Sequence, residues 1–372
     1  FGHNNGTSTL GSGLTVSIGG SGFSSGTLRL RNFTQAGATA QALTLSGTTT
    51  ILDIYDSNWG GGVTFSSPRI TTRGTTYQGA ASMTKTGASN DRSVGGNRFN
   101  GNVTLTHLGS NEFLFGNTSP DTFDLDLGII NSGTGSFYLA DNALNNLVSG
   151  NLTATNDATG AGNYIYLSDN VGSSLTINGD VTITNSATAS DARIYLGNIG
   201  DVTIGGNVIG TYSASGAAGY IFVGNSDGSV VSITGTTTIT NSGAGTIKRV
   251  FLGNYGDVSF GGALSITNSS TATNSQVYLN DRPASINAYN GNISFESTDA
   301  NNDGLYFGSN GGAGTLAATR TISIGGGGFL APNLYLRNLT QTGATSQALA
   351  PTGTISNMTI YDCSWGGDVV FS

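Results

Sequence analysis

Apolar and polar residues alternate one for one over short runs along most of the chain, and glycine, asparagine or aspartate interrupts the runs. Alternation of that kind sends successive side chains to opposite faces of an extended backbone. Runs such as Leu175 to Ile177, Val181 to Ile183, Val202 to Ile204, Val258 to Phe260 and Leu264 to Ile266 therefore predict short β-strands. Pairs such as Asn178-Gly179, Gly205-Gly206 and Gly261-Gly262 between them predict tight turns. No stretch carries a helical period.

One run acts as a marker. It reads apolar, aromatic, apolar, small, then Asn or Asp, and instances begin at Phe113, Phe137, Ile165, Ile194, Ile221, Val250, Val277, Leu305 and Leu334. Read off the numbering, the intervals between successive starts are 24, 28, 29, 27, 29, 27, 28 and 29. Two further short runs fall between markers, so each coil of about 28 residues carries three short strands, the pattern of a repeat that stacks upon itself. The predicted fold class is all-β, a right-handed parallel β-helix, the hand following from the usual sense of parallel crossovers.

A longer repeat encloses the short one. Leu14 to Ser66 aligns without a gap to Arg320 to Ser372, with 30 identities in 53 positions, so that position n of the first copy corresponds to n + 306 in the second. The expected organisation is one continuous solenoid over 1–372, with a long unit at 14–319 and the start of the next at 320–372. About eleven coils at the spacing of hydrogen-bonded strands, about 4.8 Å, would advance the fibre by roughly 50 Å per unit. The short repeat is least legible between Arg69 and Arg98, so 67–100 is expected to be irregular or inserted, a lateral docking site or a solvated loop.

Composition sharpens this picture. Charged residues make up 9% of the chain and glycine supplies 59 of 372 residues, against about 25% and about 7% in ordinary globular proteins. Low-complexity polar chains are often disordered, but those are rich in Glu, Lys and Pro, whereas this chain holds two lysines, five prolines and 30 Phe plus Tyr. A net charge of −8 leaves no polybasic surface, so neither nucleic acid nor anionic lipid is an expected partner. No run approaches 18 apolar residues, so no membrane span is expected. Phe1 follows no signal-like stretch, and the chain reads as excised from something larger. Cys363, the single cysteine, occupies the place of Ser57 in the first copy and reads as a tolerated small residue.

Two columns of marker residues are candidate features. The Asx position, Asn117, Asp141, Asp169, Asn198, Asn225, Asn254, Asp281 and Asn338, with Ser309 between the last two, is expected to form a structural ladder, in left-handed turn geometry and extended by stacked side-chain amides. The middle position points outward and places Tyr138, Tyr166, Tyr195, Phe222, Phe251, Tyr278, Tyr306 and Tyr335 in one aromatic stripe. Two readings stand for the stripe. It is either a contact surface for sugar rings or a neighbouring filament, or a self-stacking ladder shielded by segments such as Ala187 to Arg193.

Other chemistry is sparse. Asp299, Asn301 and Asp303 before Gly304 match the first half of a calcium loop, but the twelfth position is Asn310 and no helices flank it, so a polar turn is the stronger reading and no cofactor is expected beyond that calcium possibility. Trp59 and Trp365 recur once per long unit and read as packing a local irregularity. His3 and His107 stand far apart, and no compact constellation for nucleophilic or acid–base catalysis emerges, so no enzyme is expected.

The marker, together with Gly95 to Leu105 (GGNRFNGNVTL) and Asn111 to Asp121 (NEFLFGNTSPD), resembles the giant repetitive cell-surface adhesins of the gliding-motility type found in Bacteroidota and, more distantly, filamentous-haemagglutinin-like β-helices. That resemblance spans nearly the whole chain as a style of repeat. It implies extracellular display at the cell surface, adhesion to polysaccharide or an abiotic substratum, partnership with neighbouring units of the same fibre, lateral self-association, and a role in gliding. The competing classes are a polysaccharide-degrading β-helix enzyme and a phage tail fibre.

Overall fold

A computed structural model describes residues 1–2, 6–18, 23–91, 93–299, 302–349, 351 and 357–371. Among the described residues there is no helix, and every strand pairing is parallel. Three long sheets of fourteen, twelve and ten strands run side by side along the chain, with a three-stranded and a two-stranded sheet at the ends. The chain visits them in rotation, so most coils lay one strand on each sheet and the strands of the next coil pair with them. The protein is a parallel β-solenoid.

The alternation read from the sequence becomes packing in a direct way. In the ten-stranded marker sheet, Ile165, Ile194, Ile221 and Val250 form one inward column and Leu167, Leu196, Val223 and Leu252 a second. Each of these residues is essentially inaccessible to solvent. The twelve-stranded sheet supplies Val181, Val208 and Leu264 with Ile183, Ile239 and Ile266. In the fourteen-stranded sheet Trp59, Tyr77, Phe99 and Phe123 stand in register. Tyr77, Phe99 and Phe123 stack with centroids 4.7 and 4.8 Å apart, so aromatic rings fill the interior where coils are short. Trp59 is fully buried against Phe33 and Phe65 at 4.8 and 5.2 Å, a core residue as expected.

Residues 67–100 do not leave the solenoid. Arg69 to Arg73, Thr76 to Tyr77, Ala81 to Lys85 and Arg98 to Phe99 are strands in the coil stack. What changes is coil length. Val63, Ala81 and Val103 are successive register partners, and the chain between them is visibly shorter than that between Val208, Thr237 and Leu264, the equivalent partners of the regular coils. One coil here lacks a marker strand, and side chains take its place. The Asp91 carboxylate accepts the Leu114 amide at 2.9 Å, and Ser93 Oγ accepts the Thr72 amide at 3.1 Å. Four of the five basic residues of this stretch are accounted for within the chain, Arg69 with Asp53, Arg73 with Asp56 and Arg98 with Asp124, while Lys85 is buried; the fifth, Arg92, lies outside the described residues.

The two long-repeat copies make the same bonds. Gln41 Nε2 donates to the Leu14 and Thr39 carbonyls, and its counterpart Gln347 Nε2 donates to those of Arg320 and Thr345, the equivalent positions of the second copy. Ser57 Oγ donates to the carbonyls of Tyr55 and Leu30, and Cys363 Sγ faces those of Tyr361 and Leu336. Cys363→Ser is therefore expected to change unfolding free energy by no more than about 0.5 kcal/mol. Denaturant titration checks this, and a loss well above that would mean the thiol has a role that Ser57 lacks.

Candidate functional site

The marker places its small residue where the strand turns. Gly116, Ala140, Ser168, Gly197, Gly224, Gly253, Asn280 and Gly308 all have φ between 52° and 78°, a left-handed conformation that glycine adopts without strain. This corrects one expectation. The left-handed residue precedes the Asx, and of the Asx column only Asn338 has positive φ, at 54°.

The Asx ladder is present, held by side-chain amides rather than turn geometry. Asn198 Nδ2 donates to Asp169 Oδ1 at 2.6 Å, Asn225 Nδ2 to Asn198 Oδ1 at 2.7 Å, and Asn254 Nδ2 to Asn225 Oδ1 at 3.0 Å. Neighbouring residues join where a carboxylate stands. Asn142 Nδ2 bridges Asn117 and Asp141, Asn170 Nδ2 donates to Asp141, and Ser309 and Asn310 donate to Asp281. Burial, with the Asp169 charge second, pushes the Asp141 carboxyl up to about 6, and burial raises that of Asp169.

The aromatic stripe is a continuous stack. From Tyr138 through Tyr166, Tyr195, Phe222, Phe251, Tyr278 and Tyr306 to Tyr335, successive centroids lie 4.7 to 5.0 Å apart with rings within 21° of parallel. That distance is the strand spacing itself, so register alone brings the rings face to face. Tyr195, Phe222 and Phe251 retain only 6, 8 and 9% of their surface. Burial lifts the Tyr138 hydroxyl to about 12 and raises those of Tyr166 and Tyr195 as well. A sugar stacks on the face of a ring, and here each inner face is covered by the next ring, so the stripe offers edges. Of the segment read as a shield, Ala187, Ala189 and Ala192 form an apolar cluster of their own, while Arg193 at its end reaches the stack and donates from Nη1 to the Tyr195 hydroxyl at 3.1 Å.

Beside the stack runs a second outward column, Tyr164, Arg193, Tyr220, Arg249 and Gln276. The Arg193 guanidinium sits 5.3 Å from the Tyr164 ring centroid and 5.0 Å from that of Tyr220. Asp191 holds it with two hydrogen bonds of 2.8 Å. These contacts link three coils.

The sequence reading missed two further Asx columns. Asn131, Asn156, Asn185, Asn241 and Asn268 close strands of the twelve-stranded sheet and are wholly buried, with Tyr212 taking the place between Asn185 and Asn241. Asn185 Nδ2 donates to the Ala192 carbonyl in its own coil and to that of Tyr220 in the next, pinning the corner into the marker strand. Lys85 and His107 occupy the same column in the short coils. At the opposite corner Asp126, Asn151, Asp180 and Asn207 accept amides of the following coil. Their signal was the repeated Asn after Val-Thr-Ile-Thr and the Asn or Asp before it.

Of the calcium candidates, Asn301 and the side chain of Asp303 lie outside the described residues. Among the described residues no group of three or more His, Cys, Asp or Glu is placed to hold a metal ion. His3 lies outside them too. His107 is buried 3.5 Å from Lys85 Nζ, which donates to the Gly87 and Ser110 carbonyls. Burial, and then the Lys85 charge, pulls His107 down to about 3, and burial pulls Lys85 down to about 8.

Fold and site together define a parallel β-solenoid whose corners and marker face carry self-complementary ladders. Comparison with protein-family models, with curated proteins and with solved structures returned no match.

Proposed function

We propose that this chain is a structural and adhesive segment of a long extracellular fibre displayed at a cell surface. In this reading it is a stiff stalk that holds weak contacts to polysaccharide or an abiotic substratum many times over, so that repetition raises avidity, and that serves attachment and gliding. The observation that carries the reading is the unbroken coil stack, in which the second long-repeat copy makes the hydrogen bonds of the first over again. Repetition of that kind extends a filament and adds nothing to a single catalytic groove. Three groups whose protonation burial displaces, Lys85, His107 and Asp121, are sealed in the interior, where no polymer substrate meets them.

The test is retention under flow. Beads coated with the protein are expected to hold to polysaccharide films or glass with a strength that climbs steeply with coating density. Retention no better than that of beads coated with an unrelated β-protein would overturn the adhesive reading. New reducing or unsaturated ends in the polysaccharide would transfer it to the enzyme class, and a stable trimer would point to a tail fibre.

The stacked geometry supports a structural role for the aromatic stripe within that fibre. A Tyr195→Ala, Phe222→Ala, Phe251→Ala triple variant is expected to lose roughly 2 kcal/mol per ring, while adhesion per folded molecule stays at the wild-type level. An unchanged melting midpoint with lost adhesion would make the stripe the contact surface instead.

A further inference from the structure

The outward face of the twelve-stranded sheet has no role in any of the above, and it differs from the other two. Across the five strands from Leu152 to Asn268 its two outward columns hold Thr153, Thr182, Ile209, Thr238 and Ser265, and Thr155, Thr184, Thr211, Thr240 and Thr267. Nine of these ten positions are hydroxyls and none is charged. Thr104 and Thr106 continue the columns two strands earlier. The marker face is aromatic, and the fourteen-stranded sheet carries Arg98, Asp201 and Asp257 outward.

Strand preference alone favours threonine, but it does not explain what these hydroxyls leave undone. At the coil corners and in the marker ladder polar side chains are tied to a neighbouring coil, as Thr236 Oγ1 is to Asn207 and Asn198 is to Asp169. Among the described residues, the hydroxyls of Thr153, Thr155, Thr182, Thr184, Thr211, Thr238, Thr240 and Thr267 bond no other protein group. They are wholly or partly open to solvent, and the register beneath them runs without a shift from Gln41 to Phe295. The result is a rectangular lattice of hydroxyl and methyl groups. Neighbours across strands repeat at about 4.8 Å and alternate residues along a strand at about 6.6 Å.

We infer that this face binds ice. Oxygen atoms on the prism plane of hexagonal ice also repeat on a rectangle, its short side close to the strand spacing and its long side about a tenth longer than the alternate-residue spacing, so across two columns one lattice can stand over the other. Each threonine brings a donor and acceptor to hold a water molecule and a methyl group that orders the water beside it. A charged side chain would break that layer by its own hydration, and the five strands carry none on this face. The first charge in the columns is Glu296, and Gly128 with Ile130 interrupts them on the other side. The ice-binding region is therefore bounded by Leu152 and Asn268.

The experiment is slow directional freezing of the protein in solution, reading its concentration in ice against that in the liquid, with recrystallisation of a frozen film as a second readout. The wild type is expected to enter the ice and to keep grains small. Thr184→Tyr with Thr240→Tyr should abolish both effects, and Thr176→Tyr with Thr203→Tyr, on the fourteen-stranded face, should leave both intact. Thr184→Lys with Thr240→Lys replaces the first pair if the tyrosines lower the melting midpoint. Exclusion of the wild-type protein from ice would overturn the inference, as would ice binding that survives substitution of the hydroxyl face or disappears equally in the control. The adhesive reading is untouched by any of these outcomes, because it is measured on polysaccharide and glass above freezing.

Discussion

Replacing Phe99 with alanine is expected to lower the unfolding free energy by about 3–5 kcal/mol. The ring is fully buried and lies flat against Tyr77 on one side and Phe123 on the other, within 5° of parallel to each. Its strand, Arg98 to Phe99, is two residues long, as are those of Tyr77 and Phe123, so backbone bonds are few here and the ring column supplies much of the cohesion between coils. Removing the middle ring leaves a cavity with stiff neighbours that cannot close it. Urea unfolding measured against the wild type checks the figure, and a loss below about 1 kcal/mol would mean that the short coils are held by something else.

The second large effect is one of pH. His107 titrates near 3 in the folded state against about 6.5 unfolded, so between those values the unfolded chain binds the extra proton and stability falls as the solution is acidified. By pH 4.5 this amounts to about 3 kcal/mol. Asp121 works in the opposite direction. Burial lifts its carboxyl to about 6 although it accepts the Asn97 and Gly116 amides, so its contribution is full below about 3.8 and is lost as pH rises through 6. His107→Asn continues the asparagine column that begins at Asn131 and removes the first effect alone. The variant is therefore expected to overtake the wild type progressively as pH drops from 6.5 to 4.5, by about 3 kcal/mol, in denaturant titrations at a series of pH values. Parallel pH profiles for the two proteins would contradict the burial of a neutral imidazole beside Lys85.

The difference between what was legible and what was not follows from where the repeat is regular. From Phe113 onward every marker begins a strand or lies within one, because an apolar residue on each side of an outward ring admits only one register. Between Arg69 and Arg98 the same solenoid continues, but Arg69-Ile-Thr-Thr-Arg73 has none of the marker's aromatic signal, and in the next coil Asp91 and Ser93 do by side chain what a strand does by backbone. Polar side chains standing in for backbone have no periodic signature.

The asparagines were misjudged for a related reason. Asn185 and Asn198 look alike in sequence as polar residues ending a strand, yet Asn185 is sealed in the wall and Asn198 is half-buried in the marker ladder. Only the three-dimensional path of the coil separates a corner that turns inward from one that faces water. Alternation put the aromatic residues of the marker in one column, and their stacking, one of the two readings that the sequence offered, follows from rings meeting at the strand spacing, a fact of register rather than composition.

The central claim is that successive coils rise along one axis, one strand spacing at a time. Pairs of spin labels on cysteines, introduced in a Cys363→Ser background, test it directly. Thr153 lies in one column with Ser265, Ser294 and Ser323, which stand four, five and six coils further along. Pulsed dipolar distances from a label at 153 to each of the other three should centre near about 19, 24 and 29 Å, a steady increment of about 4.8 Å per coil. Distances that level off, or that fall between the fifth and sixth coil, would contradict a single stack.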